Sequence, residues 1–253
     1  MNHNRIQWAM LSIGLFMTAM LPNPTMAYQV EAGKVMLDDF EPYQAGTAPD
    51  KWKRPHKKSR SFLDIPKVYA QDDDFVSIVS SANNAANNNN ALRIFTRDNS
   101  EQIALQFNDS HTWDLDMHPI LHWKWLAQSL PENAREDKRS LNDSGAAVYV
   151  TFASFDWLNR PRTIKYVYST SLPVGASATY GALKVLVVSS ALGGLGTWIT
   201  VQRNVVEDYQ LLFGRKPPGD PAYLMLWGDS DNTKSISDVL FDDVAVSTQA
   251  IDR

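Results

Sequence analysis

Apolar and polar positions alternate with a period of two along most of the chain, the pattern of strands with one buried face. In Glu101-Gln102-Ile103-Ala104-Leu105-Gln106-Phe107, the residues Ile103, Leu105 and Phe107 share one side while Gln102 and Gln106 share the other. Including this one, the pattern predicts about ten strands. The others are Lys34 to Phe40, Ala91 to Arg97, Ile120 to Leu126, Ala146 to Ala153, Thr163 to Ser169, Lys184 to Ser189, Trp198 to Arg203, Tyr223 to Trp227 and Val239 to Ser247. Turn-forming residues lie between them: Ser80-Ser81 through Asn87 to Asn90, Asn108-Asp109-Ser110, Leu172-Pro173-Val174-Gly175, Gly193-Gly194 and Lys216 to Pro221. One helix is predicted, because Asn204 followed by Glu207 makes a capping-box start and Gly214 stands where a helix would end. These elements predict an all-β fold, a two-sheet antiparallel jelly-roll-like sandwich with one short helix.

The first residues break the pattern. Arg5 and an apolar run from Trp8 to Leu21 precede Pro22, Pro24 and Thr25-Met26-Ala27, the order of a signal peptide with cleavage after Ala27. The run is shorter than the ~20 residues a membrane-spanning helix needs. A periplasmic or secreted product is expected, with residues 28–253 as a single β-sandwich domain and no transmembrane segment in the mature chain. Absence of cysteine excludes disulfides, thiol nucleophiles and lipid attachment through a lipobox. The charge of −4 becomes about −5 once Arg5 is removed with the leader, which argues against a nucleic-acid partner. The basic stretch Lys51 to Arg60 is interrupted by Pro55 and reads as a solvated loop.

Carboxylates interrupt two apolar faces. In Leu240-Phe241-Asp242-Asp243-Val244, alternation puts Asp242 with Leu240 and Val244; near the other end it puts Asp39 and Glu41 with Val35 and Leu37. A buried carboxylate needs a cation or hydrogen-bond donors. If the first and last strands meet, Asp39, Glu41 and Asp242 form a site for a structural calcium; an arginine partner or exposure at a strand end satisfies them equally well. Asp229-Ser230-Asp231-Asn232-Thr233 is no EF-hand, because Lys234 falls where glycine is required, and an Asx-type turn suits it better.

Several spaced motifs carry a family resemblance. Trp123-Lys124-Trp125, Asn142-Asp143, Tyr166-Val167-Tyr168-Ser169, Leu172-Pro173-Val174-Gly175, Arg203-Asn204-Val205, Asp208-Tyr209, Phe213-Gly214 and Asp229 to Thr233 occur in one order. In that order they resemble the bacterial family catalogued as domain of unknown function 3047. The terminal Asp-Phe-Glu and Asp-Asp-Val segments more distantly resemble jelly-roll carbohydrate-binding modules, a resemblance that implies a calcium at those carboxylates. Neither resemblance supplies a reaction or catalytic residues.

Candidate ligand contacts are Trp123 and Trp125, which share a strand face and are either core or a platform for sugar rings, together with Arg203, Asp208, Asp229 and Asp231. Arg203 and Asp208 also suit a salt bridge or cap network. Asp143, Asp208, Asp229 and Asp231 are the pool for a glycosidase-type carboxylate pair. No Gly-x-Ser-x-Gly elbow occurs, and the spacing of His111, His118 and His122 across Pro119 suits no metal-binding helix. The expectation is an exported non-catalytic binding or envelope-accessory domain, with an envelope glycan or another exported protein as partner. The alternatives are a carbohydrate-active enzyme, a glycoside hydrolase or lyase, and a protein-binding scaffold.

Overall fold

A computed structural model describes residues 33–56, 61–71, 74–81, 89–108 and 112–250. The leader expected at 1–27, His111 and the Lys57 to Arg60 part of the basic stretch lie outside the described residues. In chain order the strands are β1 (Lys34–Asp38), β2 (Lys53–Pro55), β3 (Phe62–Asp64), β4 (Tyr69–Gln71), β5 (Asp74–Ser81), β6 (Asn89–Arg97), β7 (Ser100–Gln106) and β8 (Ile120–Ser129). There follow β9 (Ala146–Phe155), β10 (Pro161–Ser169), β11 (Ser177–Tyr180), β12 (Leu183–Ser190), β13 (Ile199–Asn204), helix α1 (Val205–Phe213), β14 (Pro221–Asp229) and β15 (Ile236–Ser247).

They form the predicted two-sheet jelly-roll-like sandwich with one helix. One sheet has the order β13-β8-β15-β6-β5-β4, with β1 also on β15; the other runs β11-β12-β10-β9-β14-β7-β2-β3. Pairing is antiparallel with one departure from the sequence expectation, since β10 and β12 run parallel. After β10 the chain crosses over, lays down β11 as the outer edge, and turns at Gly181, whose φ of 67° favours glycine, to bring β12 back between β11 and β10. The alternation did not reveal β2, β3, β4, β5 and β11. Four of these have only three or four residues, too few to establish a period. Asn89 and Asn90, expected in a polar loop, belong to β6 and pair with Ser81 and Ser80.

The core lies between the sheets and is rich in aromatic side chains. From β8, Trp123 and Trp125 point inward and meet Tyr166 and Tyr168 of β10, each Trp–Tyr pair with ring centroids 5.6 Å apart. The two tryptophans pack edge-on at 5.3 Å. Burial of rings this large adds substantially to the apolar core that Leu, Val and Ile side chains complete. Helix α1 starts as its sequence predicts: Asn204 accepts the N–H groups of Val206 and Glu207 at 3.1 and 3.2 Å, and Gly214 closes the helix with φ 70°.

β15 lies inside its sheet with β8 on one flank. Its other flank is shared end to end, because β6 pairs with Ile236 to Phe241 and β1 with Val244 to Ser247. At the junction both chains bend: Phe40 and Asp243 have φ of 58° and 50°.

Candidate functional site

Trp123 and Trp125 are not a ligand platform. They are 1% and 0% exposed, and Trp125 Nε1 donates to Ser189 Oγ at 3.1 Å inside the core. Their shared strand face is real, but it is the face that meets the second sheet. Arg203 and Asp208 come together as a structural pair. Asp208 is 4% exposed; Arg203 grips its carboxylate with two hydrogen bonds, and the Tyr166 hydroxyl donates to the same carboxylate at 2.9 Å. Both oxygens of Asp208 are thus engaged within the protein.

The junction on β15 corrects the expectation for the first strand. A register shift between Met36 and Asp38 ends the alternation early, so Asp38 is buried rather than Asp39, and Glu41 is exposed. Trp52 Nε1, the Tyr43 hydroxyl and the Phe40 N–H donate to Asp38 at 2.7, 2.9 and 2.9 Å. Asp242 is buried, accepts from Asn89 Nδ2 at 3.1 Å and the Asp243 N–H at 2.7 Å, and is pushed up to about 7 by burial and by Asp243. Asp243 pairs with Lys124 at 2.5 Å. Asp39, Glu41 and Asp242 do not bring their oxygens within 4.8 Å of one another, so they do not fit the calcium trio expected of them.

The outer face of the eight-stranded sheet holds a different constellation. Alternation on β14 turns Tyr223, Met225, Trp227 and Asp229 outward, and that on β9 and β10 turns Tyr149 and Lys165 the same way. Cross-strand register puts Met225, Tyr149 and Lys165 in one row. Trp227 is half-buried and stacks on Tyr149 at 4.9 Å; about 13 Å along β14, Tyr223 meets Phe62 edge-on at 5.3 Å. Over the Lys165 end lies the connection from β8 to β9, where Glu136 Oε2 accepts from Ser169 Oγ at 2.6 Å and the Glu136 carbonyl from the Tyr180 hydroxyl at 2.6 Å.

The electrostatics of this face are unusual for a sheet surface. Lys165 is 4% exposed, and although burial works to lower it, Tyr149, Asp229 and Glu136 hold it above the ordinary lysine value. Burial pushes Asp229 up to about 7; Lys165 opposes the rise, and Asp231 and Asp143 add to it. Burial also raises Glu136, against the Ser169 hydrogen bond. Three polar atoms here, Trp227 Nε1, Asp229 Oδ1 and Glu136 Oε1, are buried without a hydrogen-bond partner. Native interiors leave few such atoms, and a group of them has room for a partner such as water, an ion or a ligand.

Asp229 also belongs to a trio with Asp143 and Asp231, whose oxygens lie within 4.8 Å of one another and could hold a metal ion. Among the described residues it is the one such group. Asp143 also accepts from the Asn232 N–H and Nδ2 at 3.0 Å each, and from the Thr233 N–H and hydroxyl at 2.7 and 2.6 Å. The Asp229 to Thr233 segment is thus a turn stapled by Asp143. Sequence reasoning found Asp229 and Asp231 but missed Tyr149, Lys165, Glu136 and Trp227. A signal was present, since Lys165 interrupts the outward row Thr163, Val167 of a strand buried on both faces.

The family model described as "Protein of unknown function (DUF3047)" matches residues 82–245. The chain belongs to that family. The DUF3047 match includes every residue of the Lys165 face named above except Phe62, and leaves out β1 to β5. No curated protein matches the sequence. Among solved structures, the chain is similar to the CBM27-1 module of Caldicellulosiruptor saccharolyticus in complex with mannohexaose, at 14% identity and TM-score 0.41, covering 86% of this chain and 98% of that one. A family 11 carbohydrate-binding module of a Clostridium thermocellum cellulosomal cellulase shares 12% identity with TM-score 0.38, covering 87% and 97%. A family 22 xylan-binding domain shares 12% with TM-score 0.35, covering 87% and 99%.

Proposed function

We propose that this DUF3047 chain is a non-catalytic glycan-binding domain whose ligand lies on the outer face of the eight-stranded sheet. The carrying observation is the partly exposed Trp227 ring, stacked on Tyr149 beside buried donors and acceptors that the protein leaves unpaired. Sugars present flat apolar faces edged by hydroxyls, and this face offers an aromatic surface edged by polar atoms. Affinity electrophoresis against envelope polysaccharides tests the reading. Trp227→Ala is expected to weaken binding at least tenfold, on the order of the cost of losing one stacked ring. Undiminished binding by a variant whose circular dichroism is native would sink it.

A second reading is favoured by Asp229 and Glu136, two carboxylates on one face whose hold on a proton burial strengthens, the direction a general acid needs. In this reading the domain cleaves a glycan. Released reducing ends, lost in Asp229→Asn, would establish it over the binding-only reading. Co-purification of a stoichiometric protein with no glycan hit would instead favour the scaffold.

Two further parts of the reading concern location and metal. Residues 1–27 act as an export signal, and N-terminal sequencing of the periplasmic product should begin at Tyr28. Calcium sits at Asp143, Asp229 and Asp231 rather than at the terminal carboxylates. Added calcium should then raise the thermal midpoint, a rise absent in Asp231→Asn; no change in the wild-type midpoint rejects it.

A further inference from the structure

β9 and β10 extend past their neighbours. β14 reaches β9 only as far as Phe152, and β12 reaches β10 only as far as Thr163, so the residues between them project as a hairpin beyond both ladders, with Arg160 against Gly181 at its side. Its apex is apolar. Phe155 and Leu158 are 43% and 49% exposed, and Trp157, at 88%, is the most exposed large apolar side chain among the described residues.

The apex is also preformed. Asp156 Oδ1 accepts the N–H groups of Leu158 and Arg160 at 2.9 Å each, while Oδ2 takes Arg160 Nε at 2.8 Å and Nη2 at 2.5 Å. Asn159, with φ 56°, completes the turn. Arg162 Nη1 donates to Ser154 Oγ and the Phe155 carbonyl at 2.7 and 2.5 Å. Asp156 is thereby neutralised by Arg160, and Arg162 leaves the tip with a net positive charge at its base.

This geometry selects its occupant. The tip is convex, and the polar groups of Asp156 are spent on its own turn, so it has no concave platform edged with free hydrogen-bonding groups to hold a sugar ring. A rigid wedge of tryptophan and leucine above an arginine matches the bilayer interface, where indole rings settle at headgroup depth and guanidinium groups meet lipid phosphates. We propose that the β9–β10 hairpin is an interfacial anchor, inserting Trp157 and Leu158 into the headgroup region of an anionic bilayer. Pre-organisation by Asp156 lowers the entropic cost of insertion.

The chain has no cysteine, so a single Leu158→Cys in the full chain can carry an environment-sensitive nitrobenzoxadiazole label. With phosphatidylglycerol–phosphatidylethanolamine vesicles, its emission should shift to the blue and be quenched by nitroxide-bearing lipid. The same label at Leu192→Cys, beyond the opposite end of β12, should report neither change. Adding Trp157→Ser should weaken the response at position 158 about tenfold in lipid concentration. No shift at 158, an equal shift at 192, an undiminished response without Trp157, or a shift caused by soluble polysaccharide or a co-purified protein instead of vesicles would each overturn the anchor. Glycan affinity lost through Trp227→Ala is a separate readout and leaves this test unaffected.

Discussion

The two faces of β10 treat a buried carboxylate in opposite ways. Inward from Tyr166, Asp208 is enclosed with Arg203 and a tyrosine hydroxyl, and its charge is matched. Outward from Lys165, Asp229 and Glu136 each keep one buried oxygen without a donor. Among the described residues neither closes to an ion pair with the lysine. A satisfied network of this kind fixes one packing of the core, whereas an unsatisfied one costs stability.

The comparison breaks first at its inner side. Trp125→Ala should cost about 4 kcal/mol in urea unfolding, because it leaves a cavity beside Tyr168 and Phe241. Asp208→Ala should cost about 3 kcal/mol, the lower end for a broken buried pair, since Arg203 retains partial contact with water.

The outer side should respond with the opposite sign. Asp229 binds its proton more tightly folded, near 7, than unfolded, near 3.8, so it subtracts stability as pH rises between those values. Asp229→Asn cannot titrate. It should match wild type near pH 4 and exceed it by on the order of 1–2 kcal/mol at pH 8, read from urea midpoints across pH. His122 has the reverse effect: burial and Lys34 push it down to about 4, so its contribution grows as pH rises from there to about 6.5. Both chains share that contribution, so the difference between them isolates Asp229. A gain that is the same at every pH would assign Asp229 a purely steric role. The smallest effect is expected at Arg135, whose pair with Asp137 is solvent-exposed; Arg135→Ala should leave the midpoint within error.

These contrasts explain what could be read from the chain alone. Alternation is a local property, and it located ten strands, the helix cap at Asn204 and the Trp123/Trp125 face. Which side of a doubly buried strand faces the core is set by the partner sheet, so the same tryptophans read equally well as platform or core. Asp38 was hidden because a register shift in β1 moves the inward position by one, and no residue type announces that shift. The Lys165 site was hidden because its members come from β9, β10, β14 and the β8–β9 connection, which only the sheet order brings together.

The placement of β15 has a consequence for how the molecule is made. Three strands, β1, β6 and β8, bond to it, and it is the last strand of the fold. Until residue 247 has been synthesised, β8 lacks this neighbour, β1 has no strand to pair with, and β6 is paired on one side only, with β5. The β4-β5-β6 and β8-β13 parts of the seven-stranded sheet therefore cannot join until β15 is made. Its slow step should be long-range closure, with mean sequence separations that place folding at the slow end for domains of this size. During that interval the edges of β6 and β8 that β15 will cover stay open.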